Sequence, residues 1–295
     1  YETIDPIYFL KAKKNSVEIN NMIKSHKEDG VALTKFLYWL KSNVIKRNIS
    51  ELDAQSKLEQ FRKKNKNYIF SSFNTIAGTG PNGAIVHYRA TKKSNRIIKK
   101  KDIFLCDSGG QYKYGTTDVT RTVCFTKPKK KIKDIFTMVL KGHIGVVTFN
   151  LNKNTTGNKI DKVARAPLKS KGKDYAHGTG HGVGHFLNVH EGPHSISKFN
   201  KVKFSEGMIV SNEPGYYKKN KFGIRIENLV YVKKLNNKIF FENLTLAPID
   251  KDLINFDLLT KKEFNYLNDY NKKIYQSLNP YLKKKEKNWL KSFIN

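Results

Sequence analysis

Asp107 and Asp118 in LCDSGGQYKYGTTDVTRT, His181 in HGTGHGVG, Glu213 in SNEPGYY and Glu227 in IRIEN stand inside segments otherwise rich in Ile, Val, Leu, Gly and aromatics. Any fold that buries those segments carries four acids into an apolar interior. Converging there as carboxylates, they would repel one another strongly. Only a fold that gathers them around cations can keep them charged. Two divalent ions would cancel the four negative charges, and carboxylates can bridge a metal pair, whereas a lone structural zinc prefers Cys and His.

The 295 residues suffice for one large core or two smaller ones, and 38% hydrophobic with 12% aromatic residues is the composition of a chain with a buried interior. No apolar run reaches the roughly 18 residues that a membrane span needs. The opening YETIDPIYFLKAKKNSVEI has neither the basic start nor the long apolar stretch of a signal peptide. The first residue is Tyr, as in an internal piece of a longer polypeptide. Two cysteines, Cys106 and Cys124, are too few for a secreted disulfide scaffold. Strand alternation also puts them on opposite faces if Asp107 and Asp118 share one. They read as reduced core residues of a cytoplasmic protein.

A formal net charge of +31 invites a nucleic-acid reading. Arg, the better reader of phosphates and bases, occurs only seven times, and Lys is spread over nearly every segment. The charge is therefore read as a solvated Lys-rich surface, with nucleic acid not expected as a partner. The runs Lys129 to Lys133 and Lys283 to Lys287 remain able to touch acidic partners.

A helix-rich opening precedes alternating strands and helices. Ile19, Met22, Ile23, Leu33, Phe36, Leu37 and Leu40 recur at helical spacing from Asn15 to Leu40, with Asn15 and Glu18 placed as a capping pair. This is one long helix, or two meeting near Gly30. Strand-like runs follow at Tyr68 to Thr75, Ala84 to Tyr88, Ile103 to Asp107 and Val119 to Phe125, the last two forming a hairpin that presents both aspartates. Helical pattern returns at Ile132 to Phe149 and Gly157 to Leu168. Strands follow at Gly182 to Val189, Met208 to Asn212, Gly223 to Tyr231 and Ile239 to Leu246, and the last 45 or so residues read as helices. The order suggests two related halves. Trp289, Leu290 and Phe293 would pack on the core or form an interface.

The stretches NGAIVHY, LCDSGGQY with TTDVTRT, HGTGHGVGHFLNVHEGP, MIVSNEPGYY and FGIRIENL resemble the M24 or pita-bread metallopeptidases, and within them the catalytic domain of cytosolic-type aminopeptidase P. The resemblance implies an α+β fold of two pseudo-symmetric halves, a curved antiparallel sheet flanked by helices. It implies one catalytic domain over residues 1–295, with a core of about 12–248 and a helical extension of about 249–295. The non-catalytic domains that precede it in the family lie outside this sequence. By the same resemblance Asp107 chelates one metal, Asp118 and Glu227 bridge both, and His181 and Glu213 hold the second. Oxygen-rich ligation favours Mn, while Zn, Co or Fe fit the same shell.

The implied reaction is hydrolysis of the bond between an N-terminal residue and a following proline by a metal-bridging hydroxide, with Glu213 moving the proton. His87, His177 and His190 fall at positions that the family uses for substrate or oxyanion binding. Arg225, two residues before Glu227 on a strand, would pair with a site carboxylate and join the substrate-binding set. His185 is left outside the site. Gly109, Gly110, Gly178, Gly180, Gly182 and Gly184 are either turns or close approaches to metal and peptide, and Tyr112 and Tyr216 are packing. The resemblance also leans to a homodimer. Two rivals stand beside this reading: a prolidase restricted to Xaa-Pro dipeptides, and a binding module of the same fold that has lost catalysis.

Overall fold

The structure, a computed structural model, describes residues 5–294. The termini of the expected domain, residues 1–4 and 295, lie outside it. A short helix α1 (Pro6–Ala12) leads into α2 (Ser16–Asn43), which runs unbroken for 28 residues. The capping pair forms as expected: the Asn15 side chain accepts the Glu18 N–H at 3.0 Å and Glu18 accepts the Asn15 N–H at 2.8 Å. Gly30 does not divide the helix. It lets α2 lie against the chain at Leu246, whose carbonyl would overlap any Cβ there. Of the expected apolar face, Ile23 alone is exposed.

Next come α3 (Glu51–Arg62) and β1 (Tyr68–Ser71), then β2 (Ile76–Thr79), β3 (Ile103–Ser108), β4 (Gly110–Tyr112), β5 (Gly115–Thr116) and β6 (Val119–Cys124). Two antiparallel sheets result, β2-β3-β6 and β1-β4-β5. The expected aspartate hairpin is β3 with β6, in a register that sets Asp107 opposite Thr120 and Ser108 opposite Val119. The strand expected at Ala84 to Tyr88 is absent, and β2 forms in the stretch before it. Gly80, at φ +53°, and Pro81 turn the chain into a 3-10 turn over Gly80–Ala84 instead.

The second half repeats the plan with α4 (Lys130–Val147), α5 (Gly157–Lys169), β7 (Gly180–His181), β8 (Ser195–Ile196), β9 (Ile209–Asn212), β10 (Gly215–Lys218), β11 (Phe222–Arg225), β12 (Asn228–Leu235) and β13 (Lys238–Asn243). Here the sheet is β13-β12-β9, with β10-β11 and β7-β8 as paired ribbons. The expected strand Gly182 to Val189 is an irregular loop: Phe186 sits at φ +51° and the Gly184 N–H turns back to the Asn188 carbonyl at 3.0 Å. The single strand expected at Gly223 to Tyr231 is two. Between them Ile226 N–H donates to the Pro214 carbonyl at 3.3 Å and Glu227 N–H to Thr120 at 3.1 Å, so the chain changes partners where Glu227 projects.

Helices α6 (Lys261–Leu278) and α7 (Lys284–Ile294) complete the layer. Leu290 and Phe293 are buried in the main core with Phe36, Leu37 and Leu40 of α2, and Trp289 stacks on Phe293 with 4.5 Å between ring centroids. Each such Leu or Phe contributes roughly 1.5–3 kcal/mol on burial. The C-terminal aromatic residues therefore pack on the core. The halves are stapled by Arg121 of β6, wholly buried, which donates to the carbonyls of Glu227 (2.6 Å), Ala247 (2.8 Å) and Pro248 (3.0 Å) and to Asn228 Oδ1 (2.8 Å). Cys106 and Cys124 are buried and free; burial pushes the Cys106 thiol up to about 12. No helix among the described residues is long and apolar enough to cross a membrane.

Candidate metal centre

Strand ends from both halves converge on one cavity of about 510 Å³, whose wall includes Asp107, Asp118, His181, Glu213 and Glu227. Asp107 arrives on β3 and Asp118 immediately before β6; His181 ends β7, Glu213 follows β9, and Glu227 precedes β12. Ligand atoms of Asp118, His181 and Glu227 all lie within 4.8 Å of one another. His181 Nε2 stands 3.4 Å from Asp118 Oδ2 and 3.5 Å from Glu213 Oε1.

The fit to cations rests on three observations. The His181 Nδ1–H donates to the Gly182 carbonyl at 3.0 Å, so in the neutral ring the Nε2 lone pair faces two carboxylates. Separations of 3.4 and 3.5 Å are long for hydrogen bonds, yet they match neighbouring ligands on an ion whose bonds are about 2 Å. Finally, Asp107 Oδ1 and Asp118 Oδ1 are buried and accept no hydrogen bond. Without an ion this is a costly arrangement. Burial drives the Asp118 and Glu227 carboxyls well above the usual range, and neighbouring carboxylates push the same way. Burial raises Glu213 as well, against the opposing pull of His181 and Arg225.

The remaining oxygens are oriented from behind. Thr120 Oγ1 donates to Glu227 Oε2 at 2.7 Å and Ser211 Oγ to Glu213 Oε1 at 3.0 Å, while the His181 N–H donates to Ser211 Oγ at 2.9 Å. Arg225 is fully buried and pairs through Nη2 with Asp107 Oδ2 at 2.6 Å, as its strand parity predicts. Its Nη1 donates to the Tyr217 hydroxyl at 2.6 Å and its Nε to Thr120 at 3.1 Å.

All three expected histidines line the cavity. The His190 ring lies 3.9 Å from that of His181, centroid to centroid, and burial lowers its pKa to about 4, so it is neutral at pH 7. His87 is exposed at the mouth. For His177 both ring nitrogens are engaged: Nδ1–H donates to the Gly178 carbonyl at 2.7 Å, leaving Nε2 to accept from the Tyr217 hydroxyl at 2.8 Å. Burial and the Arg225 charge take its pKa to about 4. His185 is off the cavity, 3.8 Å from Glu18. Tyr112 is wholly buried against Asp29.

Two residues at the site escaped the reading from sequence. Tyr217 links His177 to Arg225, and Thr120 orients Glu227. Period-two alternation from Asp118 and from Arg225 across the β10-β11 turn would have found both. A second acidic group, Asp250 and Asp252 near Cys124, is bridged by Lys41, whose ammonium lies 2.8 and 3.2 Å from them.

Residues 20–234 match the family model for metallopeptidase family M24, and residues 238–293 match that for the C-terminal region of the same peptidases. The chain belongs to metallopeptidase family M24. This M24 chain is 43% identical over 98% of its length to a probable Xaa-Pro aminopeptidase P of Phaeosphaeria nodorum, covering 47% of that protein. It thus spans about half the length of the curated relatives it matches. Its fold superposes on an X-prolyl aminopeptidase from Caenorhabditis elegans, described as a cytosolic enzyme with a di-nuclear active site, with a TM-score of 0.94 and 36% identity, covering 99% of this chain and 49% of that one. An Xaa-Pro dipeptidase of Bacillus anthracis gives 0.72 and 29%, covering 83% of this chain and 64% of that one. The α+β pita-bread architecture expected from the motifs is the one observed.

Proposed function

We propose that this chain is the catalytic domain of a metal-dependent Xaa-Pro aminopeptidase, which releases an N-terminal residue from a peptide whose second residue is proline. The observation that carries the reading is the meeting of Asp107, Asp118, His181, Glu213 and Glu227 on one cavity wall with ligand atoms left unpaired. All five would hold two divalent ions, with Mn favoured by the four carboxylates and Zn, Co or Fe fitting the same donors. Bound, such a pair would supply Lewis acidity toward the scissile carbonyl and a water acidic enough to attack at neutral pH.

The chain's own groups have separate tasks. The proline nitrogen bears no hydrogen in the peptide and must gain one to leave; Glu213 carries it from the attacking water. His190, held neutral by burial, and His87 donate hydrogen bonds to the carbonyl oxygen as it gains charge. His177 and Arg225, their polar atoms committed to Gly178, Tyr217 and Asp107, act by shaping the wall and fixing Asp107. The domain reading, a core of about 12–248 with a helical extension of about 249–295, is in keeping with the irregular segment over residues 244–250 that separates β13 from the turns and helices after it. A cytosolic location and a homodimer belong to the same proposal, the first supported by the description of the Caenorhabditis elegans enzyme.

A prolidase restricted to dipeptides is the second reading, favoured by the likeness to the Bacillus anthracis dipeptidase, though with a lower TM-score. Assembly of all five ligands weighs against a binding module without catalysis. The test is hydrolysis of Arg-Pro-Pro by metal-stripped protein before and after Mn is added. Release of free Arg only with metal is expected. Cleavage of Xaa-Pro dipeptides alone would favour the prolidase, and turnover that survives stripping would overturn the mechanism.

A further inference from the structure

Of the 56 Lys and Arg residues in this strongly basic chain, only two line the catalytic cavity, and both are Arg. A lysine-rich surface bias does not account for them. Arg225 is buried and committed to Asp107, Tyr217 and Thr120. Arg89 is exposed, and among the described residues it makes no salt bridge and its guanidinium donates no hydrogen bond. By contrast Arg62 and Arg165 are paired with Asp29 and Asp161.

The backbone that carries Arg89 is held firmly. Its neighbour Tyr88 is buried, with its hydroxyl donating to Glu51 Oε2 at 2.8 Å and lying 3.0 Å from the Ser94 carbonyl. Glu51 also accepts from the Thr79 N–H at 2.8 Å and the Arg96 N–H at 3.0 Å. His87 and Arg89 flank this anchor, two residues apart, on the cavity wall. A free cation on a fixed backbone, beside His87 at the mouth of a site whose acids lie inside, is placed to meet an anion arriving with the substrate.

The proposed reaction defines where such an anion sits. With the scissile carbonyl at the acidic cluster, the substrate's ammonium is one residue away on the inner side. Everything after the proline extends toward the mouth, and the two residues of a tripeptide's leaving part span about 7 Å. We propose that Arg89 binds the carboxylate on the leaving side of the substrate, making the chain prefer short peptides with a free C-terminus. This rests on the Xaa-Pro reading of the site. The contact is a guanidinium with a carboxylate in a half-open setting, paired through two N–H donors.

The experiment compares an Xaa-Pro-Ala tripeptide as free acid and as C-terminal amide, in the chain and in its Arg89→Gln and Arg89→Lys variants, with Mn supplied. Binding of the leaving product Pro-Ala, again as acid and amide, is measured in parallel by calorimetry. In the unaltered chain kcat/KM should favour the acid by about fivefold, the size expected of a partly exposed ion pair. Arg89→Gln should bring the ratio to near one through KM, and Arg89→Lys should keep part of it. The same acid preference should appear in Pro-Ala binding and vanish in Arg89→Gln. Equal losses on acid and amide, or an acid preference that survives in Arg89→Gln, would overturn the assignment. Selective binding of the acid without turnover of either tripeptide would instead count against the aminopeptidase reading and leave the carboxylate contact standing. Neither binding selectivity nor turnover would overturn both.

Discussion

Lys14 Nζ lies 2.9 Å from Glu191 Oε1, and the two side chains are 1% and 2% exposed, so a buried ion pair joins the entry to α2 with the loop that carries His190. The partially exposed Lys11 reaches the other oxygen at 3.3 Å. The Glu191 N–H donates to the Gly182 carbonyl at 2.7 Å, next to His181, so the pair steadies both histidines. Lys14→Met leaves Glu191 buried with Lys11 alone and should cost about 3–5 kcal/mol. Lys14→Met with Glu191→Gln removes both charges and should recover part of that loss. Urea denaturation of the single and double variants measures both.

Removing metal should destabilise the protein, and more so as pH rises. Asp118, Glu213 and Glu227 have raised pKa values in the metal-free fold, whereas unfolded they titrate near 4. The metal-free fold holds protons that the unfolded chain has released. The stability linked to those protons is present below about pH 4 and is lost as pH climbs toward the raised values. Divalent ions replace the protons, so the Tm difference between Mn-loaded and chelator-treated protein should widen from pH 5 to pH 8. A difference that is flat across this range would mean that the acids are not paired through metal.

Buried histidine acts in the opposite sense. His26 is held neutral, its pKa lowered to about 4 by burial, with Nδ1–H donating to the Met22 carbonyl at 2.7 Å. Unfolded, it takes up a proton below about 6.5. Stability present above that pH should therefore fall as pH drops toward 4, by about 1.4 kcal/mol per pH unit. The comparison that isolates it is His26→Gln, whose urea midpoint should decline less steeply between pH 6.5 and 4.5 in Mn-loaded protein.

The five residues on the cavity wall were legible partly because acids break apolar patterns: Asp107 ends the run Ile103 to Cys106, and Glu227 interrupts the strand pattern around it. The long helix was legible for the same reason, with Asn15 and Glu18 marking its start. What the pattern could not convey was where backbone conformation overrides it. The run Ala84 to Tyr88 has strand composition, yet Gly80 at positive φ has already turned the chain, and the strand lies on the other side of that glycine. The segment after His181 was misread similarly, because its apolar residues include the exposed Phe186 and Leu187 of an irregular loop. Composition does not separate Tyr217 from Tyr216, but alternation does, because Tyr217 shares a face with Arg225 across the β10-β11 turn and Tyr216 does not.

That distinction yields the sharpest mutational test. The Tyr217 hydroxyl accepts from Arg225 Nη1 at 2.6 Å and donates to His177 Nε2 at 2.8 Å, with Nδ1 of the same ring donating to Gly178. The chain of donors fixes the His177 tautomer and restrains the guanidinium that holds Asp107. Tyr217→Phe keeps the ring and its packing but leaves a buried acceptor and a buried donor unpaired. Each unpaired group costs about 1–3 kcal/mol, part of which the site recovers by relaxing. We expect kcat/KM for an Xaa-Pro tripeptide to fall about 10- to 100-fold, through loosening of Asp107 and His177. Bound metal, counted by elemental analysis, should stay near the wild-type amount, because none of the five residues proposed to hold it is touched. Glu227→Gln, by contrast, should lose metal and turnover together. If Tyr217→Phe also emptied the site of metal, the Arg225 contact would be holding the ligand set itself; unchanged kinetics would mean that the hydroxyl merely fills space beside His177.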